Sequence, residues 1–195
     1  ATKKGTRESI KLSAIDIKYT RQGLAVKTVS LKTNKERLCT IDYTLTVPET
    51  AILNDIRTNK GTISIEKVQT KTVAHATYGS IDLHEVKNSV EASTKYGPIV
   101  MKLGSLAPEQ TIVAQTQRGS ITLQVPKTTN AQLSATTEKG RVTSDCLITL
   151  EPRTIKLAHN SFVHLKRDVR GKLGVGGSSS IKLHTARGNV KLLEA

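Results

Sequence analysis

Acid, base and metal chemistry needs carboxylates or imidazoles brought close together. In this sequence the densest such group is His84 with Asp82 and Glu85 on either side. A polysaccharide lyase or hydrolase built on stacked strands would require clustered carboxylates, to bind a metal or to serve as general acid and base. The sixteen acidic residues are few and dispersed, so the trio is expected to be an ordinary solvated strand end. The five histidines, His75, His84, His159, His164 and His184, show no HExxH or paired-ligand spacing. Gly174-Val175-Gly176-Gly177-Ser178 has the glycines of a phosphate loop, but no P-loop lysine and hydroxyl follow, nor a helix whose N-terminus would favour an anion. It reads as a flexible turn. Nothing resembles a Ser/His/Asp set, and no catalytic residue, metal site or cofactor is predicted. Cys39 and Cys146 lack CxxC spacing and the density of a disulfide framework, so both are expected to be free and buried.

Binding chemistry is better represented. Thirty Lys and Arg against sixteen Asp and Glu give a formal charge of +14, which favours anionic partners: nucleic acid, acidic polysaccharide or an anionic surface. Six of the long side chains, Lys60, Tyr78, Tyr96, Arg118, Lys139 and Arg187, share one feature. Each stands immediately before a glycine of an internal repeat.

That repeat defines the elements that must carry them. Val90-x-Ala92-x-Thr94-x-x-Gly97-x-Ile99-x-Met101 recurs as Ile112-x-Ala114-x-Thr116-x-x-Gly119-x-Ile121-x-Leu123 and as Leu133-x-Ala135-x-Thr137-x-x-Gly140-x-Val142. It returns at Ile181-x-Leu183-x-Thr185-x-x-Gly188-x-Val190-x-Leu192 and, upstream, at Ile56-x-Thr58-x-x-Gly61-x-Ile63-x-Ile65. A sixth copy, Val73-x-His75-x-Thr77-x-Gly79-x-Ile81-x-Leu83, fits with one residue fewer before its glycine. Apolar residues alternate with polar ones on both sides of each glycine, the period of strands with one buried face. Glycine at the junction permits a backbone bend that side chains resist.

Successive glycines from 61 to 140 lie 18, 18, 22 and 21 residues apart, one coil each, and the 48 residues from Gly140 to Gly188 accommodate two longer turns. Leu45-Thr46-Val47-Pro48 and Leu123-Gln124-Val125-Pro126 occupy matching places ahead of Gly61 and Gly140, with proline closing a strand in each. No helical apolar period is sustained. The fold class predicted is all-β: one β-solenoid, β-helix-like, of stacked coils of about 18–24 residues, right-handed by preference, over 1–195 as a single domain. Residues 45–195 form the repeat coils. Residues 1–44, with Ile10-x-Leu12, Ile15-x-Ile17 and Val26 to Leu31, form irregular starting strands that cap the stack.

Composition agrees. Apolar residues are 36% of the chain, with one Phe and no Trp, so the core must be Ile, Val, Leu, Ala and Thr, which stack well in short superposed strands. No stretch approaches a membrane span, no signal-type opening is present, and a start at Ala1 without Met is expected of a processed or truncated product. In a stack, Cys39 and Cys146 would be about five coils or ~24 Å apart, too far to bond.

The Thr-x-x-Gly-x-Ile-x-Leu repeats, the Leu-x-Val-Pro lead-ins and Gly174-Val175-Gly176-Gly177 before Ile181-Lys182-Leu183-His184-Thr185 resemble a bacterial adhesin-labelled domain of unknown function. The resemblance covers roughly 40–195. It implies a β-solenoid, exported or tethered at the cell envelope, with no catalytic residue to carry over. This chain departs from the family pattern in one respect: the residue before the repeat glycine is commonly Asn there, and here it is basic or aromatic in every copy. If coils stack in register, Lys60, Tyr78, Tyr96, Arg118, Lys139 and Arg187 form a ladder ~4.8 Å per rung along one edge. Phosphates or carboxylates would meet the cations, and sugars or bases would stack on the rings.

The expected function is therefore a non-enzymatic, adhesin-like binding or structural module at the cell envelope. Its partners would be an anionic polysaccharide, another cell-surface component or an envelope protein. The alternatives are a carbohydrate-active β-helix enzyme and a nucleic-acid-binding protein.

Overall fold

A computed structural model describes residues 13–20, 23–30, 42–150 and 167–195. The chain divides into two compact units, 1–46 and 47–195. In the first, β1 (Ser13–Thr20) and β2 (Gly23–Ser30) pair antiparallel in a sheet of their own, from Ser13 opposite Ser30 to Thr20 opposite Gly23. This is a regular hairpin where irregular strands were expected. Ile10, Leu12, Leu31, Cys39, His159 and His164 lie outside the described residues.

The second unit is the solenoid. Each repeat makes two strands that bend at its glycine: β3 (Leu53–Lys60) and β4 (Ile63–Glu66), β5 (Thr72–Tyr78) and β6 (Ile81–Val86), β7 (Val90–Tyr96) and β8 (Ile99–Leu103), β9 (Thr111–Arg118) and β10 (Ile121–Val125), β11 (Ala131–Lys139) and β12 (Val142–Ser144). Then follow β13 (Ile148–Leu150), β14 (Asp168–Leu173), β15 (Ser180–Arg187) and β16 (Val190–Glu194). Strands before the glycines, with β13 and β14 added at one edge, build an eight-stranded sheet, β13-β14-β11-β15-β9-β7-β5-β3, and strands after them a six-stranded sheet, β12-β16-β10-β8-β6-β4. Pairing is parallel except around β14, which runs antiparallel to both β11 and β13. No helix occurs among the described residues.

The core is a set of columns between the two sheets. Ile63, Ile81, Ile99, Ile121, Val190 and Val142 stand directly over one another, each two residues after its glycine. All are buried except Val142, half-buried on the edge strand β12. A second column runs Ile65, Leu83, Met101, Leu123 and Leu192. Facing them from the other sheet are Ile56, Ala74, Ala92, Ala114, Leu183 and Ala135. Small residues in that sheet leave room for large ones in the other, and close packing requires such a match.

Threonine and glycine of the motif make one device. The buried Thr94, Thr116, Thr185 and Thr137 hydroxyls donate to the carbonyls of Gly79, Gly97, Gly119 and Gly188 in the coil beneath, at 3.1, 3.2, 2.9 and 2.8 Å. Each glycine lies so close to the one below that a Cβ on Gly97 would stand 2.0 Å from the Gly79 carbonyl oxygen. The sixth copy is complete after all: Thr58 pairs with Ala76, and Ala76 with Thr94, so Ala76 takes the threonine position and Thr77 faces outward.

Coil order departs from chain order. The stack runs Gly61, Gly79, Gly97, Gly119, Gly188, Gly140, because β15 lies between β9 and β11, and β16 between β10 and β12. The interval from Gly140 to Gly188 is thus not two successive turns. The chain leaves through β13, returns antiparallel along the outside of β11 as β14, and crosses the start of β11 to enter the stack as β15. Gly174–Gly177 is that crossing. Val175 N–H donates to Asn130 Oδ1 at 3.0 Å, and a Cβ on Gly174, whose φ is 58°, would fall 2.2 Å from the same oxygen. Glycine is needed there for close approach as much as for dihedral freedom.

Of the two proline lead-ins, only Leu123–Val125 is strand; residues 42–50 are exposed, so the alternation at Leu45 and Val47 has no face to bury. Both prolines nevertheless start a turn, Pro48 O accepting from Ala51 N–H and Pro126 O from Thr129 N–H. Cys146 is a free thiol, half-buried where full burial was expected, because it follows the edge strand β12.

Candidate binding edge

The strands that end at the repeat glycines set the candidate residues at one level. Lys60 pairs with Tyr78, Tyr78 with Tyr96, Tyr96 with Arg118, Arg118 with Arg187, and Arg187 with Lys139. All six sequence-predicted residues are thereby brought into one row, Arg187 standing between Arg118 and Lys139. The register is held from behind: the glycine N–H groups at 61, 79, 97, 119 and 188 donate to the carbonyls of Tyr78, Tyr96, Arg118, Arg187 and Lys139 at 2.8–3.0 Å. Side chains before the glycines are exposed except Tyr96, which is half-buried.

The middle of the row is a continuous stack. The Tyr78 and Tyr96 rings lie 4.9 Å apart and 5° from parallel, and the Arg118 guanidinium is 5.5 Å from the Tyr96 centroid. Lys95 Nζ comes within 5.7 Å of the same ring. Contacts of these kinds contribute ~0.5–1 kcal/mol each at exposed positions. They also change what a ligand would meet. Tyr96 is occupied by its neighbours, so it offers ring edge and phenol hydroxyl in place of an open face for sugars or bases.

Among the described residues none of the four cations of the row is ion-paired, whereas Arg57, Lys127 and Arg170 pair with Asp55, Glu194 and Asp168. Three basic residues at this edge were missed from the sequence. Lys95 precedes Tyr96, Arg141 follows Gly140, and Arg167 lies beside Thr137, two residues before Lys139, its carbonyl accepting from Thr137 N–H at 2.8 Å and its guanidinium donating to the Glu138 carbonyl at 2.9 Å. The positions of Lys95 and Arg141 beside the glycine motif were visible in the sequence; that of Arg167 follows from antiparallel pairing, which no repeat announces.

The other candidates do not assemble. Asp82 and His84 point outward from β6, with Ser80 Oγ 3.3 Å from Asp82 Oδ2, and Glu85 sits at a bulge with φ 54°. No group of three or more His, Cys, Asp or Glu side chains converges among the described residues. His75 and His184 lie on the outer face of the eight-stranded sheet, their Nδ1 atoms 2.6 Å from Ser93 Oγ and 2.9 Å from Thr136 Oγ1. Cross-strand hydrogen bonds account for both.

A solenoid of two largely parallel sheets, bent at stacked glycines and edged by an ordered row of long side chains, defines a repeat-built all-β module. This chain belongs to the family of domains of unknown function described as Toastrack DUF4097, whose model matches residues 7–193. No curated protein and no solved structure matches it.

Proposed function

We propose that this chain is a non-enzymatic, adhesin-like binding module of the cell envelope that holds an anionic polymer or surface along Lys60, Tyr78, Tyr96, Arg118, Arg187 and Lys139. The observation that carries the reading is the unpaired, in-register row of cations. Like charges one strand spacing apart, ~4.8 Å, repel, and directly opposed like charges weaken a sheet. Three such rungs in succession, with no carboxylate among them, are a cost that an anionic ligand would relieve. An extracytoplasmic address and a partner among acidic polysaccharides, surface components or other envelope proteins belong to the same proposal and rest on the resemblance to an adhesin-labelled domain.

The test compares two double variants that remove equal charge. Arg118→Ser with Arg187→Ser takes two adjacent cations from the row. Lys102→Ser with Lys191→Ser takes two from the outer face of the six-stranded sheet. The first should elute earlier from an acidic-polysaccharide matrix and show a shallower salt dependence, since fewer ion contacts are released. Equal loss in both would reduce the edge to part of a diffuse basic surface. Turnover of the polysaccharide, or nuclease-sensitive retention, would sink the reading in favour of an enzyme or a nucleic-acid binder.

A further inference from the structure

The rungs of this edge have a fixed pitch, and pitch selects among polyanions. Resting on the reading above, we infer that the edge recognises a polyuronate, a linear polysaccharide with one carboxylate on every sugar, lying along the stack axis.

Arg118, Arg187 and Lys139 occupy three consecutive rungs. Their backbones are locked together by Gly119 N–H to Arg187 O at 2.9 Å and Gly188 N–H to Lys139 O at 3.0 Å. Charges bound there one for one must recur at about the inter-strand step, ~4.8 Å. A pyranose ring with its glycosidic oxygen advances a chain by a similar distance, so a uronate on every sugar offers one carboxylate per rung, and the long Arg and Lys side chains have the reach to meet carboxylates that turn to either side of the polymer. A carboxylate on every second sugar meets Arg118 and Lys139 and passes Arg187. Duplex nucleic acid, with a phosphate on each strand every ~3.4 Å of helix axis, drifts out of register within three rungs. Arg118 and Arg187 can each hold a carboxylate by two parallel hydrogen bonds from the planar guanidinium, as they could a phosphate, so it is the spacing of charges that discriminates.

The aromatic rungs fit the same ligand. With its neighbours against it, Tyr96 serves less as a stacking platform for a base than as a hydroxyl donor and acceptor. A sugar chain bears hydroxyls at every residue, and Tyr78 and Tyr96 continue the row at the same pitch toward Lys60.

Polygalacturonate and hyaluronate, which carry a carboxylate on each sugar and on alternate sugars, separate the possibilities when titrated at equal carboxylate concentration and ionic strength. Wild-type protein should bind polygalacturonate at least about tenfold more tightly, and methyl esterification should abolish the difference. Arg187→Gln should weaken polygalacturonate binding severalfold more than it weakens hyaluronate binding, with circular dichroism and the urea midpoint reporting intact folding. Equal affinities, or equal loss on both polymers with Arg187→Gln, would overturn the pitch argument while the edge itself stands, provided the Arg118/Arg187 double variant still loses retention. If that double variant behaves like the Lys102/Lys191 control on every polymer, the edge reading fails as well.

Discussion

The Thr185 hydroxyl donates to the Gly119 carbonyl at 2.9 Å across a sequence separation of 66. Two halves of one motif, from coils far apart in the chain, complete each other as if they were successive. The same pairing of threonine hydroxyl with the glycine carbonyl beneath recurs up the stack, and it makes the motif's energetics separable.

Glycine positions divide by whether a coil lies beneath them. A Cβ at Gly97 would meet backbone at 2.0 Å, with φ at 151°, whereas at Gly61, with φ at 123°, the nearest atom is Thr58 Oγ1 at 3.9 Å. Gly61→Ala should therefore cost only the dihedral strain, ~1–3 kcal/mol. Gly97→Ala adds displacement of a neighbouring carbonyl and should lower the urea midpoint considerably further. Equal midpoints would show that contact between coils does not select the glycine.

Threonine can be removed from one coil and supplied to another. Thr185→Val keeps the shape and deletes the bond to Gly119, leaving a carbonyl without that donor, for ~1–3 kcal/mol of destabilisation. Ala76→Thr places a hydroxyl where register puts it over the Gly61 carbonyl, and should stabilise by up to about 1 kcal/mol. Chemical denaturation of the two variants checks both signs; a destabilised Ala76→Thr would mean that the Gly61 coil does not present its carbonyl as the others do.

Within the isoleucine column, cost should follow position. Ile121 is fully buried between Ile99 and Val190, while Val142 is half-buried at the column's end. Ile121→Ala should cost ~2–5 kcal/mol through lost transfer energy and a cavity. Val142→Ala should cost clearly less, and comparable unfolding free energies would contradict the layered core.

Cys146 has its thiol pKa pushed up, first by burial, then by the negative charge of Glu194, with Asp145 adding and the Ser144 hydrogen bond partly offsetting. Only the thiolate alkylates. In a Cys39→Ser background, the pH of half-maximal iodoacetamide reaction should be higher for folded than for urea-unfolded protein, and Glu194→Gln should bring the folded value down. Coincident folded and unfolded profiles would remove the effect of burial.

Much of this was legible because a repeat states its own rules. Alternation before and after each glycine marks strands with one buried face, and the common position of Lys60, Tyr78, Tyr96, Arg118, Lys139 and Arg187 marks a single row. Coil order was not legible, and the reason is the repeat itself. Leu133-x-Ala135-x-Thr137-x-x-Gly140 would fit on Ile112-x-Ala114-x-Thr116-x-x-Gly119 as well as Ile181-x-Leu183-x-Thr185-x-x-Gly188 does, so no local pattern says which is the neighbour. Ala76 was misread because Thr77 beside it carries the expected side chain. The blocked ring faces of Tyr96 depend on stacking geometry that residue type does not encode.

Interleaving also sets a problem in time. During synthesis the Gly140 coil leaves the ribosome before the Gly188 coil on which it must rest, and at ~5–20 residues per second the wait lasts seconds. Meanwhile the β9 and β10 edges of the nascent stack face a coil with the same motif in the wrong place. Docking there would satisfy hydrogen bonds and apolar columns alike while shutting the later coil out. The native order must then be recovered by reopening a well-made interface, so this chain carries a misassembly hazard that arises from the sameness of its repeats and not from any weakness in them.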